Sequence, residues 1–205
     1  FTIAPRINAA SRMATPMEAF TLLSARDEKT AVEQANLLES LNTSRKDNVA
    51  VFMKKAHALA KTRLDLPVLV LGDNEWSPGV LGLIAGKLAD EYSKTVFVWG
   101  KGESETEMKG SCRSDGYTHL VDLMSAAQAG TFSAMGGHEL AGGFSVTYDA
   151  LHELEKNINE AYEKTKHLQL EKKSEMKTDA ELGLPDVSLT TYNEIQKLAP
   201  FGMDN

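Results

Sequence analysis

The chain has 205 residues, 42% hydrophobic and 25% charged, and its 22 basic and 29 acidic side chains give a formal net charge of −7. That length holds one or two domains with a real core and the composition is that of a globular protein; no run approaches the roughly 18 apolar residues of a membrane span and no signal-peptide layout opens the chain, so a cytoplasmic protein with no membrane partner is expected. The single Cys112 excludes an internal disulfide and a structural zinc site, and the acidic balance argues against coating nucleic acid by bulk electrostatics, so any such contact must be local.

In chain order, the first signal is Pro5-Arg6-Ile7-Asn8-Ala9-Ala10-Ser11-Arg12. On a helix, Arg6 and Arg12 are six steps of about 100° apart and diverge, whereas Asn8 and Arg12 share a face. Pro16 suits a first helical turn, and Glu18 to Leu23 continue it as a short apolar-faced helix. Asp27 reads as an N-cap. From it Ala31, Ala35, Leu38, Leu41, Arg45, Val49, Phe52, Ala56 and Leu59 recur at three- and four-residue steps without Pro or Gly, predicting one helix to about Thr62. At 1.5 Å per residue it is roughly 50 Å long, which suits a strut between two domains.

Pro67 to Gly72 is an apolar run bounded by breakers, the pattern of a buried strand. A loop with Trp76 and Pro78 leads to a helix with Val80, Leu81, Ile84, Ala85, Leu88 and Ala89 as its core stripe, and Thr95 to Trp99 is the next strand. Lys101 to Glu107 reads as a polar turn, Met108 to Arg113 as a strand, Leu120 to Ala127 as a helix and Phe144 to Tyr148 as another strand. Asp149 is the expected cap of a last long helix fading near Leu170, followed by a charged linker, Glu171 to Glu175. A short strand over Thr178 to Leu182 and a helix near Ser188 to Leu198 complete the reading. The expected fold class is α/β: a small mixed sheet flanked by helices and preceded by a long connecting helix.

Two clusters carry chemistry. Gly136-Gly137-His138-Glu139-Leu140-Ala141-Gly142-Gly143 crowds glycines around one histidine, so that main-chain N–H groups can approach an anion and an imidazole can add a contact; a tight turn requiring positive φ is the plain alternative. Lys109-Gly110-Ser111-Cys112-Arg113-Ser114 supplies a guanidinium for a bidentate phosphate fork and two hydroxyls, against the alternative of an Arg113 ion pair with Asp115 or Asp122. Trp99 reads as core, and Trp76 as either core or a base-stacking platform. The histidines at 57, 119, 138, 152 and 167 show no clustering with Asp, so no metal site is expected and phosphodiester hydrolysis is beyond this chain alone.

These two clusters resemble the paired signatures of the DHH-associated domain in the DHH phosphoesterase superfamily, Gly-Gly-His-x-x-Ala-x-Gly and a preceding Gly-Ser-x-Arg-Ser. The Pro5 to Arg12 segment is similar to that of the RecJ-like exonuclease family, departing only at Ser11, where those proteins usually carry Gly. Leu198-Ala199-Pro200-Phe201-Gly202 is similar to the family's run into an oligonucleotide-binding (OB) fold. The resemblance implies the substrate-binding part of a 5′-to-3′ single-stranded-DNA exonuclease of repair and recombination. Its DHH domain, with manganese or magnesium, would lie N-terminal of Phe1, leaving this piece catalytically silent with no cofactor of its own. Its partners would be single-stranded DNA and the protein's own DHH and OB domains. Ser111, Arg113, Ser114, Gly136, Gly137 and His138 would bind phosphate, and Arg6, Asn8 and Arg12 would support the scissile phosphate, the alternative from the bare sequence being a helix that anchors an interdomain joint. The implied organisation is an interdomain segment (1–26), a connecting helix (27–63), the DHH-associated domain (64–170) and a linker entering the OB fold (171–205). A nano-RNase or cyclic-dinucleotide phosphodiesterase of the same superfamily, and a non-catalytic replication scaffold, are the alternatives.

Overall fold

The structure is a computed structural model and describes residues 2–104, 106–168, 179–199 and 201. Two units are distinguished, a large one through residue 171 and a C-terminal one from residue 172. The large unit opens with α1 (Ile3–Met13), α2 (Pro16–Ser24) and α3 (Glu28–Ala60). Asp27 caps α3 as its sequence position suggests, its carboxylate accepting the Thr30 N–H at 2.8 Å. The 33 residues of α3 are packed along their length rather than standing free as a bare strut. Leu38 is buried with Ala10 and Ala19, while Val49, Met53, Ala56 and Ala60 are buried against β1 (Val68–Gly72) and α4 (Pro78–Tyr92).

The remaining strands are β2 (Thr95–Ser104), β3 (Glu107–Arg113), β4 (Ala134–Gly137) and β5 (Ala141–Thr147), in the order β1-β2-β3-β5-β4. The β1–β2 pair is parallel and the other pairs are antiparallel, giving the mixed α/β sheet expected from the sequence. Alternation sends Leu69, Leu71, Val96 and Val98 to the α4 side, and Val68, Val70, Phe97 and Phe144 to the opposite side, under α5 (Leu120–Ala126) and α6 (Leu154–Thr165). Each such buried side chain contributes about 1.5–3 kcal/mol. The outer edge of β1 is closed by Asn159, whose side chain accepts the Val68 N–H (3.0 Å) and donates to its carbonyl (3.2 Å).

Several expectations are corrected. β2 continues through residues 101–104, which read as a turn in the sequence but pair back onto β3 at Ser104 and Glu107. β4 was not foreseen as a strand, since Gly136 and Gly137 were expected only as part of an anion site or a tight turn. Asp149 does not cap the last helix: a 3-10 turn, Tyr148–Glu153, comes first, with Thr147 accepting the Ala150 N–H (3.3 Å). In the C-terminal unit residues 179–182 are not a strand, and Thr178, the charged run 171–175 and, within the Leu198–Gly202 motif, Pro200 and Gly202 lie outside the described residues. There α7 (Leu189–Gln196) starts at Ser188, whose hydroxyl accepts the Thr191 N–H (3.2 Å).

Candidate nucleic-acid interface

The site is assembled where the C-terminal end of α1 meets the N-terminal end of α4. A Cβ on Gly79 would lie 1.9 Å from the Arg12 carbonyl oxygen, so only glycine permits the two helix ends to touch. Arg12 secures the joint by donating from Nη1 to the Gly79 carbonyl at 3.0 Å. Asn8 and Arg12 thereby face β3 from one side of α1, and Ser11, whose hydroxyl donates to the Asn8 carbonyl (3.1 Å), stands beside them.

On the sheet, Ser111 and Arg113 alternate onto the α4 face. A Cβ on Gly82 of α4 would come within 3.0 Å of Arg113 Nη2 and 3.2 Å of Ser111 Oγ, so these side chains lie flush against that glycine. Arg113 donates from Nη1 to Ser111 Oγ (3.1 Å) and to the Cys112 carbonyl (2.7 Å). Asn8, Arg12, Gly79, Gly82, Ser111 and Arg113 thus border one open cleft of about 510 Å³ with two guanidiniums and no carboxylate. The alternative ion pair for Arg113 does not form: Asp115 accepts the Tyr117 and Thr118 N–H groups (3.0 and 2.9 Å), and Asp122 faces His119 (3.1 Å).

Charge in the cleft is concentrated. Among the described residues, neither Arg12 nor Arg113 has an ion-pair partner, and neither does Arg45 of α3, which was expected only as part of a packed stripe. Burial, then Arg45, then Arg113 push the Arg12 guanidinium below its ordinary range. The signal in the sequence was an arginine inside an apolar stripe with no carboxylate three or four positions to either side. Cys112, beneath the cleft, is inert, burial pushing its thiol up to about 12.

The other expected residues are distributed unequally. Arg6 points away from the cleft and pairs with Glu39. Ser114 is spent in its own turn, donating to the Thr118 carbonyl (2.7 Å) and accepting the Gly116 N–H (3.0 Å). Lys109 is tied to Ser145 (2.9 Å) and Glu107 (3.3 Å). Trp76 is core, stacked on Phe52, and Trp99 is partly buried in the opposite-face core, over Gly72. His119 caps α5, its Nδ1 accepting the Asp122 N–H (3.3 Å).

The glycine cluster is a hairpin, β4 to β5, and its glycines have different reasons. Gly137 (φ +155°) turns the chain where a Cβ would strike the Ala141 carbonyl oxygen at 2.4 Å, and Gly142 makes room for Cys112 and Met124. Gly136 and Gly143 instead lie opposite each other and in register with Ser111, and a Cβ on either meets nothing closer than 3.6 Å. They leave a bare strip of sheet running outward from Ser111. His138 is exposed, but its main-chain N–H is already donated to the Ala141 carbonyl (2.8 Å). Ala141 pairs with Arg113, which puts His138 two strands over rather than on the cleft wall.

Comparison with known proteins bears on this geometry directly. Residues 65–164, which hold both the β3 cluster and the glycine hairpin, match the DHHA1 domain family. The chain carries a DHHA1 domain. It is also 29% identical over 206 residues, all of its length, to the single-stranded-DNA-specific exonuclease RecJ of Bacillus subtilis (strain 168), covering 26% of that protein. With the RecJ of Thermus thermophilus it shares 32% identity over 162 residues, 79% of this chain and 23% of the relative. The crystal structure of T. thermophilus RecJ in complex with Mn2+ superposes on the whole chain with a TM-score of 0.78 at 29% identity, 30% of that chain being covered. The chain is thus similar to a DHHA1-bearing stretch of these RecJ proteins and spans about a quarter of the length of these curated relatives. Among the described residues no helix is long and apolar enough to cross a membrane.

Proposed function

We propose that the cleft between α1, α4 and β3 holds the phosphodiester backbone of single-stranded DNA, as the substrate-binding part of a RecJ-like 5′-to-3′ exonuclease acting in the cytoplasm in DNA repair and recombination. One observation carries this reading: Arg12 and Arg113 converge on a cleft without a counter-charge of their own. Each guanidinium is a rigid fork matched to two phosphate oxygens, and Ser111 and Asn8 add neutral donors. The N-terminal end of α4, with Pro78 in its first turn and no side-chain cap, faces the same space with its positive dipole end. The bare strip through Gly143 and Gly136 takes the next stretch of backbone, with the His138 imidazole at its rim.

Hydrolysis itself is not assigned to these residues. Among the described residues no three His, Cys, Asp or Glu side chains gather as a catalytic metal requires. The manganese and magnesium named in the RecJ crystal structures belong, in this proposal, to a DHH domain in another part of the whole protein. An OB domain would follow on the other side.

The test is anisotropy of a labelled oligothymidylate with the 205-residue chain. Binding should weaken with salt, and Arg113→Ala should reduce affinity about tenfold or more, the range for a charged hydrogen-bonding group. Indifference to Arg113→Ala would remove the reading. Competition by a dinucleotide equal to that of the longer strand would shift it to a small-substrate phosphodiesterase.

A further inference from the structure

We infer that an open recess lined by Trp99, Tyr148, Asp149, Leu151 and His152 is a receptor for an arginine side chain of a partner protein. The inference is independent of the phosphate reading of the cleft, because Trp99 packs with the core on the other face of the sheet from α4.

The floor of the recess is Trp99 of β2. A Cβ on Gly72 would fall 2.1–2.4 Å from three of its ring atoms, so the indole lies flat on the main chain of β1 and is held there. It stays partly exposed, and the space it borders measures about 570 Å³. The wall is the 3-10 turn Tyr148–Glu153, fixed at its head by the Tyr148 N–H donating to the Thr106 carbonyl (2.9 Å) and by Thr147 accepting the Ala150 N–H (3.3 Å). With three residues per turn, Tyr148 is aligned with Leu151 and Asp149 with His152. Tyr148 is 56% exposed, so a phenol ring and an indole stand uncovered around one hollow.

Charge selects the occupant. The lining carries one carboxylate and no lysine or arginine, and among the described residues Asp149 has no ion-pair partner, whereas Asp73, Asp122 and Glu155 each have one. His152 stands 3.8 Å from Glu153, a second acid on the same turn. Aromatic faces are negative and attract cations. A nucleic-acid strand would bring phosphates against Asp149 with no cation to offset them, and a purely apolar side chain would desolvate that carboxylate without pairing it. A guanidinium meets both requirements: its plane stacks on an aromatic ring while its fork donates to the two carboxylate oxygens. The ammonium of lysine has neither the plane nor the fork.

The test is a titration of the 205-residue chain followed by the NMR signals of its two indole N–H groups. Trp76 is fully buried and serves as the internal reference for Trp99. The probes are a short capped peptide of alternating glycine and arginine, the same peptide with lysine, the same with citrulline, which keeps the shape and lacks the charge, and oligothymidylate. The arginine peptide should move the Trp99 signal saturably and leave Trp76 in place, the lysine peptide should bind more weakly, and the citrulline peptide should leave both signals in place. Tyr148→Ala should weaken arginine-peptide binding about two- to fivefold, the range for an exposed cation–π contact, and Asp149→Asn should erase the preference for arginine over citrulline. Both side chains are exposed, so the melting temperatures of the variants and their affinity for oligothymidylate should match the unaltered chain. An equal response to the citrulline or lysine peptide overturns the inference without recourse to any variant, as does a Trp99 signal silent to every probe. A Trp99 shift with oligothymidylate that exceeds the shift with the arginine peptide, or weaker oligothymidylate binding in Tyr148→Ala, would make a nucleobase the occupant and refute the assignment to arginine.

Discussion

A single methyl group at position 82 distinguishes what the fold needs from what the site needs. Gly82 lies inside α4, where alanine would favour the helix by about 1 kcal/mol. Its Cβ, however, would enter the space 3.0 Å from Arg113 Nη2 and 3.2 Å from Ser111 Oγ. Both contacts are with side-chain ends that can yield, so the fold survives and the guanidinium is displaced. Gly82→Ala is expected to melt at the wild-type temperature or a few degrees above it, with weakened oligonucleotide binding, and Gly82→Val to bind more weakly still. Undiminished binding by the valine variant in the anisotropy assay would show that Arg113 need not rest against α4. Gly79 is the contrasting case, since its Cβ would meet main-chain atoms of Arg12 that cannot step aside. Neither distinction was legible in the sequence, where both are glycines near the start of one helix. Ser111 and Arg113 were singled out in the sequence as candidate phosphate-binding residues, and the structure sets both on the wall of one cleft, while Arg45 was grouped with the stripe that predicted its helix.

Elements with strong periodicity or firm punctuation were readable: Asp27 and the stripe behind it gave α3, and the apolar run from Pro67 to Gly72 gave β1. β4 was not, because Ala134–Gly137 offers neither alternation nor β-branched residues and is held only by its pairing with β5. The polar stretch 101–104 was lost for a similar reason, since pairing with a partner strand overrides a local turn signal. The turn after β3 follows directly on Arg113, and its stability has a pH signature. Burial pushes the Asp115 carboxyl up, but the Thr118 and Tyr117 N–H groups and the Ser114 hydroxyl outweigh it, leaving the group below its ordinary 3.8. A carboxyl depressed in the folded state stabilises at pH values above the unfolded one, and that contribution is lost as pH falls through the folded value. The melting temperature should therefore hold down to about pH 4 and decline below it. Asp115→Asn should lower the neutral-pH melting temperature and flatten this acid limb. An acid limb unchanged in Asp115→Asn would mean that other carboxylates carry it.

At the scale of the whole large unit, the cleft exists because α3 belongs to two cores at once. Its first half is buried with Ala10 and Ala19 in a small cluster that Ile7, Leu22 and Leu41 complete, and its second half joins the main core under α4. Side-chain pairs tie it at two points, Arg6 with Glu39 and Lys55 with Asp73, but both are partly exposed and such pairs contribute little. The small cluster must then hold α1 in place mainly by burial, with Leu38, 1% exposed, at its centre. Asn8 and Arg12 reach the cleft only while α1 stays docked, so a substitution remote from any phosphate should still abolish part of the binding. Leu38→Ala is expected to cost about 2–5 kcal/mol locally. Because the sheet has its own cores on both faces, the loss should appear as faster hydrogen exchange in α1 and α2 with strand amides still protected. Oligonucleotide affinity should fall toward that of an Arg12→Ala chain, and the two substitutions combined should cost little more than either alone. Full additivity, or wild-type affinity in Leu38→Ala despite accelerated exchange in α1, would show that the sheet side binds unaided and that α1 contributes nothing to the grip.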